Sequence, residues 1–210
     1  EAGGRGPIVT WTTSPRVEQI ISRYPDKKSA VMPLLYLAMN EYGYLTDEAI
    51  REVAGLVGMT SVQVSSVATF YTMYKRDEVG QYLLSVCTSI SCALLGAKDV
   101  LHAVEDETGV PAGETGVERE FSVEHVECLG ACGGAPAVQV NYELIEGLGV
   151  EKARELVRWL RDAGPEVVNG DEMQTLFGGQ RSFEWGPAET AGSARPVPAL
   201  EAFGTSGDTA

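Results

Sequence analysis

The chain has 210 residues, enough to bury a sizeable core in one or two domains without disulfide staples. Its 16 basic against 30 acidic residues give a formal net charge of −14, which disfavours non-specific binding to nucleic acid or anionic lipid and suits solubility or a basic protein partner. No apolar run approaches the roughly 18 residues that a membrane span needs.

The opening "EAGGRGP" has no signal-peptide pattern, and residues 1–15, rich in Gly, Pro and Thr, read as an arm. Residues 16–79 carry helical periodicity and predict a small bundle. "RVEQIISRY" stops at Pro25, and "KSAVMPLLYLAMNEYG" ends at Gly43. "TDEAIREVAGLVG" starts at a Thr N-cap and ends at Gly58, and "TSVQVSSVATFYTMY" starts at Thr60 and is read as helical through Tyr74. From residue 80 the period changes. "QYLLSV" reads as a strand, "CALLGAKDVLHAVEDETG" as one helix, and "EFSVEHVEC" and "PAVQVN" as strands. A hairpin arm "YELIEGL" and the helix "VEKARELVRWLRDAG" complete an α/β unit over 80–165. Residues 166–210 are Gly-, Pro- and Ala-rich and read as an extended tail. In it Phe177, Phe183, Trp185, Leu200 and Phe203 are isolated anchors for grooves on a neighbouring chain or on this domain.

All four cysteines, Cys87, Cys92, Cys128 and Cys132, fall at predicted strand ends: Cys87 closes the first strand, Cys92 opens the next helix, Cys128 closes the second strand, and Cys132 lies in a Gly-rich loop. Two neighbouring parallel strands would bring the pairs together. Three chemistries compete. A disulfide framework suits small secreted chains. Structural zinc favours tighter C-x2-C knuckles than the C-x4-C and C-x3-C spacings here, which makes a zinc-stabilised interaction module the more remote alternative. An iron–sulfur cluster is wider than one ion, fits the longer spacers, and needs four thiolates. Gly130, Gly133 and Gly134 would let backbone N–H groups approach the sulfurs, and Thr88, Ser89 and Ser91 offer hydroxyl donors.

C-x4-C, 35 residues, then C-x3-C followed by "GGAP" resembles the thioredoxin-like 2Fe–2S ferredoxin subunits of NADH:quinone oxidoreductase (respiratory complex I), with relatives in NAD-linked hydrogenases and formate dehydrogenases. "MPLLYLAMNEYGYLTDEAIREVAGLVGM" and "VATFYTMY" resemble the N-terminal helical part of the same family, so the likeness runs over about 16–163. The resemblance implies an α+β chain, a helical bundle followed by a thioredoxin-like domain. It implies one 2Fe–2S cluster on Cys87, Cys92, Cys128 and Cys132, and FMN and NADH on a partner subunit. It further implies other iron–sulfur subunits as neighbours in a peripheral arm on the cytoplasmic side of the membrane, or the matrix side in a mitochondrion. The function implied is one-electron transfer, with no catalytic side chain or substrate site in this chain. A diaphorase-module subunit of a hydrogenase or formate dehydrogenase is the alternative.

Other features carry plainer readings. Residues 46–72 have a helix-turn-helix outline, but 16–80 hold seven basic and eight acidic residues, and "TSVQVSSVATFYTMY" has no Lys or Arg for phosphates. His125 is three residues before Cys128 and alternates to the opposite strand face, so it reads as a non-ligand, as does His102 on its helix. Glu127 reads as a solvated charge. Thiol exchange, the usual activity of a thioredoxin-like fold, favours C-x-x-C, which neither pair has. With few cations near the sulfurs, an acidic chain should keep a cluster's potential low.

Overall fold

A computed structural model describes residues 11–183, 192–194 and 196. The chain divides into two compact units, one ending at Glu78 and the other beginning at Val79.

The first unit is helical, and its boundaries follow local chemistry. Helix α1 (Pro15–Ser22) begins with Pro, whose fixed φ and missing N–H suit a first helical position. Helix α2 (Val31–Tyr42) stops at Gly43 and α3 (Asp47–Val57) at Gly58, with φ of 83° and 69°. Thr46 caps α3 by accepting the Ala49 N–H, and Thr60 with Gln63 forms a reciprocal capping box on α4 (Ser61–Phe70). Leu34, Leu35, Met39, Val53, Val57 and Val64 are buried in this unit. Trp11 lies within the region read as an arm, yet it is pinned: its indole N–H and the Tyr42 hydroxyl both donate to Glu52 Oε2 at 2.8 Å.

Helix α4 ends at Phe70, four residues before the predicted end. By leaving the helix, the chain buries Tyr74 against the Tyr36 ring, 4.9 Å away, and lets its hydroxyl donate to the Met32 carbonyl at 3.0 Å. The Lys75 carbonyl then accepts the Leu45 N–H at 2.8 Å. Tertiary burial outweighs one further helical turn here. Burial also pushes the Tyr74 phenol well above its ordinary range.

The second unit is a five-stranded mixed sheet in the order β2-β3-β1-β4-β5. Its strands are β1 (Tyr82–Cys87), β2 (Glu114–Thr115), β3 (Phe121–Val126), β4 (Ala137–Val140) and β5 (Glu143–Glu146). β1 runs parallel to β3, in register Cys87 to Val126, and antiparallel to β4. The predicted helix over 92–109 is two, α5 (Ile90–Leu94) and α6 (Ala97–Thr108), separated at Gly96, whose φ of 93° no helix continues through. Helix α7 (Val150–Ala163) packs beside α6, and Arg154, Arg158 and Arg161 reach across to Asp106 and Glu107. The short edge strand β2 carries no period that a sequence reading can find.

The β4–β5 hairpin turns on Asn141 and Tyr142, both at positive φ as a two-residue hairpin turn requires. Asn141 is buried, and its amide accepts the Leu83 N–H at 2.8 Å and donates to the Gln81 carbonyl at 3.0 Å.

The region read as an extended tail is not extended at its start. Gly170–Phe177 is a helix, α8, capped by Asn169, whose side chain accepts the N–H groups of Asp171 and Glu172. Met173 and Phe177 are buried in the same core as Leu156 and Ile145, and Phe177 lies 5.6 Å from the Trp159 ring. A helix this short, with Gly-rich flanks, shows no helical period that a sequence reading can detect. Phe183 is 64% exposed, and Trp185, Leu200 and Phe203 lie outside the described residues. Among the described residues no single helix is long and apolar enough to cross a membrane.

Candidate metal centre

The parallel pairing of β1 and β3 brings the cysteines to one end of the sheet. Cys87 is the last residue of β1, and Cys128 follows the end of β3 by two residues. Cys92 is the third residue of α5 rather than its first, and Cys132 opens the 3₁₀ turn Cys132–Gly134. Cys87 and Cys92 are buried, 2% and 3% exposed, in a small apolar cluster with Ala97, Ala131 and Ala137. Cys128 and Cys132 lie at the surface.

The sulfurs come in two pairs. Cys128 Sγ and Cys132 Sγ are 3.6 Å apart, and Cys87 lies within hydrogen-bonding reach of Cys92. Cys132 interacts electrostatically with both Cys92 and Cys87, so the pairs adjoin. Two thiolates on one tetrahedral metal, with bonds of about 2.3 Å, stand about 3.8 Å apart. The 3.6 Å pair fits that spacing. No group of three or more His, Cys, Asp or Glu among the described residues is arranged to hold a single metal ion. Two pairs side by side are the donor set of a binuclear group.

Desolvation, with Cys87 close by, pushes the Cys92 thiol up to about 11. The neighbouring Cys128 thiol raises Cys132, while Ser91 opposes that rise by hydrogen bonding to it. The protein surroundings by themselves thus favour thiols; bound cations would reverse that preference and hold thiolates.

Of the expected donors, some reach sulfur and others do not. Gly130, at φ 81°, turns its N–H back to Cys128 Sγ at 3.4 Å, and Ser91 serves Cys132. The Thr88 hydroxyl instead meets the Val126 carbonyl, and the Gly134 N–H meets the Ala131 carbonyl. The Ala137 backbone N–H, which no motif marks, donates to Cys92. His125 lies on β3, exposed and paired in register with Val86; His102 on α6 and Glu127 are not buried against the sulfurs either.

The segment after α8 adds a part that the cysteine spacing does not foreshadow. Gln174 accepts the Glu146 N–H at 2.7 Å and donates to the Glu146 and Gly179 carbonyls, completing the edge of β5. Residues 178–182 then run over Gly147 and Gly134, where a Cβ on either glycine would come within 2.8 Å of this strap. The Ser182 N–H donates to the buried Glu146 carboxylate at 2.9 Å.

The thioredoxin-like [2Fe-2S] ferredoxin family matches residues 17–161. A subunit of NADH-quinone oxidoreductase from Mycobacterium tuberculosis (strain ATCC 25618 / H37Rv) is 42% identical over 150 residues, 71% of this chain, and the chain covers 60% of that relative's length. A subunit of the same name from Rhizobium meliloti (strain 1021) is 36% identical over 152 residues, covering 72% of this chain and 90% of its own length. An NAD+-reducing [NiFe]-hydrogenase in the air-oxidized state shares the fold, with a TM-score of 0.56 at 16% identity over 63% of this chain and 23% of the hydrogenase chain. With cysteine pairs at the ends of parallel strands and a match spanning both units, the chain belongs to the thioredoxin-like [2Fe-2S] ferredoxin family.

Proposed function

We propose that Cys87, Cys92, Cys128 and Cys132 hold one 2Fe–2S cluster, with Cys87 and Cys92 on one iron and Cys128 and Cys132 on the other. The observation that carries this reading is the pairing of four sulfurs at adjacent ends of β1 and β3, one pair at 3.6 Å. Such a cluster, when bound, supplies a one-electron carrier. The chain's own groups set its surroundings. Gly130 N–H, Ala137 N–H and Ser91 point positive dipoles at sulfur, which stabilises thiolate charge. Burial of Cys87 and Cys92 keeps water from one side, while exposed Cys128 and Cys132 leave the other side open for electron entry and exit.

The role that fits is electron transfer within an NADH:quinone oxidoreductase, exchanging one electron with FMN on a partner that also binds NADH. Its place would be in a peripheral arm on the cytoplasmic side of the membrane, among other iron–sulfur subunits. Relatives at 36% and 42% identity that carry the NADH-quinone oxidoreductase name support this over the hydrogenase alternative, for which the likeness is one of fold. A partner surface is present beside the site. Ile90, Leu94 and Leu95, on and just after the helix that carries Cys92, are 76%, 82% and 60% exposed. The helical unit supplies Phe70, 76% exposed, close in sequence to Lys75 and Arg76.

Anaerobic reconstitution tests the ligand set. We expect about two irons and two sulfides per chain, and loss of most of this in each single Cys→Ser variant, since the hydroxyl is a harder, poorly deprotonated ligand. Stoichiometric zinc without iron in anaerobically prepared protein would refute it. Charge reversal at Lys75 and Arg76 should weaken co-purification of a flavin-bearing partner and leave the iron content unchanged.

A further inference from the structure

One buried polar group near the site serves none of these roles. The Ser182 hydroxyl is fully shielded from solvent and has no hydrogen-bond partner. An orphaned hydroxyl costs roughly 1–3 kcal/mol, so folded proteins usually give such a group a partner. Its position is defined by what it touches. Ser182 lies against Gly133, the residue after Cys132: a Cβ at Gly133 would stand 3.2 Å from both Ser182 Cα and Ser182 Oγ.

Several interactions fix this placement. Gln174 holds Gly179 through its side-chain amide at 3.1 Å, and the Gly179 N–H donates to the Glu146 carbonyl at 2.9 Å. Arg181 is ion-paired with Asp171 of α8, and the Ser182 N–H is fixed on Glu146. Gly134 and Gly147 leave no room for side chains beneath the strap. The strap thus sets Ser182 on the Cys132 loop, while it lies beyond the family match, which ends at residue 161.

We propose that Ser182 is a positioning and tuning residue for the cluster: its hydroxyl donates a hydrogen bond to sulfur held at the Cys132 end of the site. The inference rests on the four-cysteine reading above. A donor to sulfur favours the more negative, reduced state and so raises the reduction potential. The C-terminal strap is then a device that sets electron affinity.

The test uses the full 210-residue chain, reconstituted anaerobically, as wild type and as Ser182→Ala. The substitution keeps the backbone N–H on Glu146, so the strap keeps its anchor. The expected result is unchanged iron and sulfide content with electron binding weakened about tenfold, a fall of about 59 mV for a one-electron couple. In protein exchanged into D2O, pulsed EPR of the reduced cluster should show a coupled deuteron in wild type that is missing from Ser182→Ala. Equal potentials with the deuteron signal retained would overturn the role of Ser182, as would a Ser182→Ala chain that cannot hold iron, since the hydroxyl would then be structural. Failure of wild type itself to take up two irons would instead overturn the four-cysteine reading, and this inference with it.

Discussion

Two glycines in the Cys128–Gly134 loop constrain the site for different reasons, and substituting each should separate those reasons. Gly130 adopts φ 81°, yet a Cβ there would meet nothing within 4 Å. Gly130→Ala therefore carries only the left-handed backbone penalty, about 1–2 kcal/mol, or roughly a five- to thirtyfold shift in the balance between formed and unformed loop. Gly130→Asn should recover much of that, because Asn tolerates the left-handed region. Gly134 does not need positive φ, but its Cβ would lie 2.6 Å from Glu146 Oε1 and 2.7 Å from the Gln180 carbonyl. One of those atoms is backbone, so relief requires the strap to move. Overpacking of this kind typically costs about 1–3 kcal/mol. Displacing Glu146 also weakens its charge-assisted bond from Ser182, which adds about 1 kcal/mol or more. Gly134→Ala should therefore be the more damaging change, and Gly134→Asn worse still. The assay is the rate of iron release to a chelator from reconstituted protein, with the urea midpoint of the metal-free chain beside it. If Gly130→Ala and Gly130→Asn release iron equally fast, or Gly134→Ala behaves as wild type, the reasoning fails.

His125→Ala should leave the visible and EPR spectra of the loaded protein unchanged, because the side chain is exposed on β3; a shift toward a mixed His–Cys signature would contradict this placement. The Glu107 carboxyl is held below its ordinary range, chiefly by the hydrogen bond from Arg158. A depressed carboxyl contributes stability above its unfolded value and loses it as pH falls through the folded one. Glu107→Gln should thus lower the urea midpoint at neutral pH and converge with wild type in acid; a constant gap at all pH would count against the ion pair. Ending the chain after Phe183 keeps α8 and the strap, and should preserve both iron content and thermal stability. Ending it after Asn169 strips Met173 and Phe177 from the core, where large side chains are worth about 2–5 kcal/mol each, and a truncated chain as stable as wild type would refute the role of α8.

Much of this protein is written locally. Thr46, Thr60, Gly43 and Gly58 mark helix ends because capping and left-handed termination involve only neighbours in sequence. The alternation in "QYLLSV" and "EFSVEHVEC" identifies strands for the same reason, and the cysteines can be placed at their ends. Tertiary structure decides what local chemistry cannot encode. The parallel register of Cys87 beside Val126 brings Cys128 next to residues far earlier in the chain. Burial of Tyr74 ends α4 early, against a helical pattern that would continue. Helix α8 and the strap hold their shape through Gln174, Glu146 and Gly134, partners distant in sequence, and none is marked by a period or a motif. The site's sulfurs are legible because metal-binding residues are few and closely spaced. The hydroxyl at Ser182 is not, because a lone serine acquires meaning only from the atoms that the fold sets against it.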